Sequence, residues 1–354
     1  MKIKITDSFQ VFQRDAPPRD DGESFIVVKD KDSYLVGGFI CLGDFHWDKD
    51  EGFAFKLYEA NQEIYSHKFR DNEYVSGAVY IKLLDSYFLV VNQDIYRKDV
   101  DGKPPYLFIP KQKNFELVED VRAHPSLPAT VVLISQCKIR LLSLLKKKFV
   151  LSLVRDEGYD RWNQAISFWG SKVCTSLVSM QSKNNLTILS LFRRQETHRC
   201  QIVEEQFYSP RYIDYSLCAS RDKNFIFVSH DDGRLRQRVF CLKVFEVLEA
   251  SFKIRASYRL KGTLLDIRFF CQFRENYAFA VLQKVLDDYD FDVVLCQLFA
   301  FNSREDSIRE VCATRIRLEG PSYCVEILGS DIFHLDAELN LTKVSIHNHN
   351  VRGG

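Results

Sequence analysis

No two of the ten cysteines in this 354-residue chain are spaced as CxxC. The ligand pattern of a small zinc site and that of a dithiol redox pair are therefore both missing. Glycine is scarce, at 15 residues, and neither GxxxxGK[ST] nor GxGxxG occurs. A backbone cradle for nucleotide phosphates is thus unsupported. GxSxG is absent too, which removes the strained nucleophile turn of an α/β-hydrolase. No charge-free apolar run approaches the roughly 18 residues that cross a bilayer. No apolar core follows the basic start at residues 1–4, so no secretory leader is expected. Net charge is nearly absent: 49 Lys and Arg against 48 Asp and Glu leave +1. So balanced a chain has no global pull toward nucleic acid or an acidic membrane. These absences set the expectations: no enzyme activity, no cofactor, no metal, nucleic acid not a primary ligand, and membrane met only by peripheral contact.

What is present is strand material. Hydrophobic residues make up 46% and aromatics 13%, led by 28 Phe and 16 Tyr, and flat rings fill a pleated, half-buried surface well. The cysteines sit mostly inside apolar runs, as at Cys271 and Cys296, and read as reduced core residues of an intracellular protein, cytoplasmic or nuclear. Length alone favours about two domains, but that prior is soft for β architectures. Short apolar runs separated by polar turns return roughly every 42 to 57 residues, over 23–69, 75–118, 120–154, 162–206, 212–258, 264–312 and 321–347. Such a period marks a radially repeated sheet. Asn92–Gln93 reads as a hairpin turn, and residues 99–105, with Gly102, Pro104 and Pro105, as the clearest loop. A helical period is nowhere sustained over three turns. Residues 156–162 are the one stretch left open to a helical turn.

Residues 225–242 read FIFVSHDDGRLRQRVFCL: a strand at 225–229, a turn at 230–233 and a second strand at 234–242. This resembles the middle of a WD40 repeat, whose second strand ends in Ser and whose turn carries Asp and Gly. Asp231 or Asp232 can bond backbone amides of such a turn, and Gly233 can take positive φ. The Gly-His opening and Trp-Asp close of the family are missing, and Gln237–Arg238 reads as an insertion. The resemblance implies an all-β fold, a β-propeller of about seven four-stranded blades over residues 1–347, with a flexible tail at 348–354. The last unit has three clear strands and residues 1–12 hold a spare one. Pairing the N-terminal strand onto the last blade would close the ring and remove an open sheet edge.

Chemistry-bearing residues each have a structural rival. His347 and His349 would share one face of a strand, yet no further ligand follows. Ser229, His230 and Asp231 adjoin in sequence, whereas triad groups meet through the fold, so a turn role is the better reading. Asp287, Asp288, Asp290 and Asp292 lack the Gly and later Glu of a calcium loop and read as a hairpin tip open to a basic partner. Lys146, Lys147 and Lys148 read as a solvated turn. Arg234, Arg236 and Arg238 would line one strand face and could grip carboxylates or phosphates. Phe192-Arg193-Arg194-Gln195 resembles the Phe/Leu-Arg-Arg-Gly signature of phosphoinositide-binding propellers, with Gln195 in place of Gly. That makes Arg193 and Arg194 the candidate lipid-binding pair of an alternative, membrane-binding propeller acting in trafficking or autophagy. Among Asp44, Asp48 and Asp50, His46 and Trp47 form a candidate aromatic anchor. The primary expectation is a protein–protein interaction scaffold, one subunit of a larger intracellular assembly. Its partner-facing segments are placed at 45–51, 99–105, 156–162, Arg193–Arg194 and 287–292, with Arg234 and Arg236 also facing the partner.

Overall fold

A computed structural model describes residues 2–11, 24–41, 51–70, 73–111, 117–118, 120–124, 127–135, 138–154, 159–169, 172–179, 184–190, 195–201, 215–220, 222–231, 240–249, 251–260, 263–273, 275–286, 292–317, 322–328, 331–336 and 339–347. Among them the strands form seven four-stranded sheets, and the helical element present is one 3-10 turn at Lys82–Leu84. They group into two compact units.

The unit of Ile3–Ser152 with Leu318–His347 carries four sheets. The chain starts in β1 (Lys2–Gln10). One sheet is β2 (Ser24–Asp30), β3 (Ser33–Cys41), β4 (Glu51–Glu59) and β5 (Gln62–Lys68). The next is β6 (Val75–Ile81), β7 (Ser86–Val91), β8 (Asp94–Asp99) and β9 (Tyr106–Ile109). A third is β10 (Asp120–Ala123), β11 (Thr130–Ile134), β12 (Lys138–Ser143) and β13 (Lys148–Val154).

The unit of Leu153–Arg317 holds three sheets. They are β14 (Tyr159–Trp169) through β15 (Lys172–Ser179) and β16 (Asn184–Ser190) to β17 (Gln195–Gln201); β18 (Tyr215–Ala219), β19 (Phe225–Asp231), β20 (Phe240–Val247) and β21 (Phe252–Arg259); and β22 (Thr263–Phe273), β23 (Asn276–Leu286), β24 (Asp292–Asn302) and β25 (Ser307–Arg317).

The final sheet joins both ends of the chain. It comprises β26 (Ser322–Leu328), β27 (Asp331–Asp336) and β28 (Asn340–His347), with β1 added beyond β28. Thr6 Oγ1 donates to the Lys343 carbonyl at 3.2 Å, Ser8 Oγ and Thr342 Oγ1 are 3.1 Å apart, and the Val11 N–H reaches the Leu339 carbonyl at 2.9 Å.

Each core cluster lies between two consecutive sheets. Val11, Ile26, Tyr34, Val36, Phe333 and Leu341 fill one, and Val79, Phe88, Ile95, Val131, Leu133 and Leu142 another. A sheet covered on both faces needs apolar side chains in both directions, which explains why β7 is buried at every position, Phe88 and Val90 in one cluster and Tyr87, Leu89 and Val91 in the other. Gly37 is forced by close approach, since a Cβ there would lie 2.9 Å from the Ala54 carbonyl oxygen and closer still to the Phe25 ring. The expected turn at Asn92–Gln93 is present, with φ of 48° and 73°, the primed geometry that matches strand twist.

Register irregularity is distributed by rule. All seven central ladders run without a shift. The third-to-fourth ladder carries one in each of five sheets, those ending in β5, β9, β17, β21 and β25. The first-to-second ladder is shifted in five sheets as well, those starting with β2, β6, β14, β22 and β26, so the bulges bend both outer strands around a regular centre.

Two local expectations need correction. Residues 159–162 are strand, the start of β14, not a helical turn; shifts at Tyr159/Arg161 and Trp162/Ile166 break the alternation that would have marked it. The turn placed at 230–233 starts later, because β19 runs through Asp231, with His230 opposite Cys241 and Asp231 opposite Phe240.

Candidate interaction surface

His46, Trp47, Arg193, Arg194, Arg234, Arg236, Asp287, Asp288 and Asp290 all lie outside the described residues, as do Arg238 and His349. Of the expected partner-facing segments, the loop at 99–105 is described throughout, and it leads to a built surface.

The loop is held from beneath by Lys98. In the alternation of β8, Lys98 points at the neighbouring β2–β5 sheet, and its side chain is fully buried. Nζ lies 4.5 Å from the centre of the Tyr65 ring, donates to the Asp99 carbonyl at 2.6 Å and to the Asp101 carbonyl, and sits 3.6 Å from Asp101 Oδ1. Burial lowers the Lys98 pKa, against the opposing pull of Asp101. Asp99 is fixed by Arg97 Nε at 2.6 Å and by the Ser86 hydroxyl at 2.7 Å. The tip is pinned by the Lys103 N–H on Asp101 Oδ1 at 3.2 Å.

Beyond the loop, β9 borders the β10–β13 sheet. Lys147, at φ 49° in the turn between β12 and β13, sets Nζ 4.2 Å from the Phe108 ring centre. Arg97 lies 5.9 Å from the same ring, and Arg140 lies 5.5 Å from Phe149. Phe108 and Phe149 both pack on the core between these two sheets. Close to these core residues in the chain, Leu145 is 63% exposed, Leu117 56%, Leu107 49% and Tyr106 46%. Residues 138–154 contain five cations (Lys138, Arg140, Lys146, Lys147 and Lys148) and no carboxylate. Exposed apolar side chains and unbalanced cations on neighbouring strands are the residue types that interfaces use. Three successive lysines look locally like a wet turn; the signal in the sequence for something more is the complete lack of acid in the surrounding strands.

Other titratable clusters serve cohesion. Lys29 Nζ bridges Asp85 Oδ1 at 3.2 Å and Glu59 Oε1 at 3.6 Å, and the Tyr80 hydroxyl donates to Asp85 Oδ1 at 2.6 Å. That bond, with Lys29, holds Asp85 below the usual carboxylate range. Burial opposes the Lys29 charge, but Asp85 and Glu59 outweigh it and the net shift is upward. Burial, then Asp85, pushes Tyr80 up; burial and the field of Glu59 do the same to Tyr87. Every shift moves its group away from neutrality, the wrong direction for a proton shuttle near pH 7. Burial pushes the Cys296 thiol up to about 12, so it is no nucleophile. Ser229, His230 and Asp231 are successive residues of one strand, β19. No group of three or more His, Cys, Asp or Glu able to hold a metal occurs among the described residues, and none of their helices is long and apolar enough to cross a membrane.

No protein-family model matches the chain, and no curated protein does. Solved structures do. The β-propeller domain of Cps50 (Swd1) from Myceliophteria thermophila matches with a TM-score of 0.56 at 12% identity, covering 98% of this chain and 100% of that one. BamB from Moraxella catarrhalis matches with a TM-score of 0.54 at 7% identity, over 98% and 100%. The chain therefore has an all-β propeller fold built of four-stranded blades.

Proposed function

We propose that this protein is a non-enzymatic docking platform, a subunit that holds other proteins in an intracellular assembly, cytoplasmic or nuclear. The seven sheets support a count of seven blades over residues 1–347, with β1 closing the last. Fold alone does not assign a task, because one architecture hosts many. The observation that carries the reading is that Lys147 of the β12–β13 turn lies on Phe108 of β9, while Leu145, Leu117, Leu107 and Tyr106 of the same stretches of chain are exposed. Such a patch supplies apolar anchors and a charged rim, the two parts of a specific interface. A stable interface covers about 800 Å² on each partner, so neighbouring loops would share in it.

The test is purification of the tagged full chain from its native source at moderate salt. A stoichiometric protein companion is expected, and Leu145→Asp with Leu107→Asp should release it. A chain that elutes alone removes the reading. The membrane alternative rests on Arg193 and Arg194 and predicts liposome flotation that is lost when both become alanine.

A further inference from the structure

In every sheet one edge is left to the fourth strand, and the seven such strands differ in how they are guarded. β5 carries Glu63 and Lys68, β17 Glu196 and Arg199, β21 Lys253, Arg255 and Arg259, and β25 Arg309, Glu310, Arg315 and Arg317. β1 carries Lys2, Lys4 and Asp7. β9 has no charge, but it is four residues long and lies between Pro105 and Pro110. Charge, brevity and proline are the ordinary defences of an edge strand. β13 has none of them after its first residue. It reads KFVLSLV, seven residues with one charge, at Lys148, and no proline. It ends its sheet, with no strand on its far side among the described residues. Val150 is 44% exposed on it, and Leu145 stands just before it.

Resting on the docking-platform reading, we infer that β13 is a strand-addition site. It takes an extended segment of a partner protein as a fifth, antiparallel strand, and that segment carries carboxylates at one end. Two features define the occupant. An apolar outermost strand offers main-chain hydrogen bonds plus alternate side-chain contacts, the recognition mode of β-augmentation. The charge is complementary and one-sided: all three lysines of the turn stand at the start of β13, and no acid within 138–154 compensates them. Antiparallel pairing, which continues the pattern of the sheet, then places the partner's carboxylates C-terminal to its apolar run. Lys146 and Lys148 are exposed and point charges of this kind steer and hold an acidic segment.

The probe is a fluorescein-labelled peptide of three Thr-Val repeats followed by four glutamates, titrated into the full chain by fluorescence anisotropy. Hydrogen exchange of the β13 amides is followed in parallel. Saturable binding is expected, with alternate β13 amides slowed by the peptide. Lys146→Glu with Lys148→Glu should weaken it about tenfold or more, and a peptide with four lysines should not bind. Val150→Pro, which removes a main-chain donor, should weaken it comparably; Val150→Glu, at an exposed side chain, covers the case in which the proline variant does not fold. Loss on charge reversal with no effect of either Val150 change and no slowed amides overturns the inference, leaving a charge contact only. So do β13 amides already slow in the chain alone, which would mean that a segment of this protein fills the edge. Phosphatidylserine vesicles that bind and are not displaced by the peptide overturn it in favour of a lipid surface. A peptide that fails while the native companion is still retained sinks strand addition and leaves the platform standing; loss of both sinks the two together.

Discussion

Between the β18–β21 and β22–β25 sheets the contact is aromatic, whereas between the β2–β5 and β6–β9 sheets charge is built into it. The first joint sets Phe227 tilted against Phe279 at 4.6 Å, and Phe225 and Tyr258 edge-on to Tyr277 and Phe299 at 4.8 and 5.0 Å. Its polar contacts stand at the border: the Tyr277 hydroxyl donates to Asp222 Oδ2 at 2.7 Å, and Arg255 spans Asp306 at 2.6 Å and Glu246 at 2.9 Å. The second joint also has rings, Phe55, Tyr65, Phe69 and Tyr87. It adds Lys98 in full burial and the Lys29–Glu59–Asp85 bridge. An aromatic joint needs only shape. A buried ammonium needs carbonyls, and here those belong to the loop at 99–105, so the second joint also fixes a surface loop. Cohesion and presentation are combined in one place and separate in the other.

The comparison can be broken hardest at its aromatic side. Phe279 is fully buried, and Phe279→Ala should cost about 3–5 kcal/mol in urea unfolding; a cost below 1 kcal/mol would mean that the rings are not the joint. Next comes acid. Burial lowers the His334 pKa to about 4 in the unit that holds the charged joint, against about 6.5 in an unfolded chain. Between those values the unfolded state binds the extra proton, so stability falls as pH drops from 6.5 to 4 and levels off below. The integrated loss is of the order of 3 kcal/mol. Urea midpoints across that window should lose this slope in His334→Phe.

Lys98→Met keeps the stem and removes the donors, at roughly 2 kcal/mol. The sharper readout is amide exchange at 100–103, which should accelerate by more than the stability change alone explains. Equal acceleration everywhere would deny Lys98 its hold on the loop. Smallest is Arg255→Ala, about 1 kcal/mol or less because its partners are half-exposed, and raised salt should shrink it further.

Much of the architecture was legible where alternation is unbroken. The pairing of β1 follows from a three-stranded last unit and a spare strand at the start, and the flanks of the acidic tip are β23 and β24, with Leu286 opposite Asp292. Legibility failed at bulges, as at the start of β14, where one extra residue swaps the faces that a period of two would predict. It failed again at Lys98. A lysine in DIYRKD reads as solvent-facing, and only the adjoining sheet turns its side of the strand inward. The surface on β9 and β13 was half visible: the loop at 99–105 and the lysine turn were each noticed, but nothing local says that Lys147 lies on Phe108.

Thr6 and Lys343, partners across the closing ladder, are 337 residues apart in the chain. During synthesis at about 5–20 residues per second, β1 therefore waits roughly 17 to 70 s for β28. Over that interval β1 lacks the strand it pairs with, and anything that holds it apart, a bulky fusion or a chaperone, delays completion of that sheet.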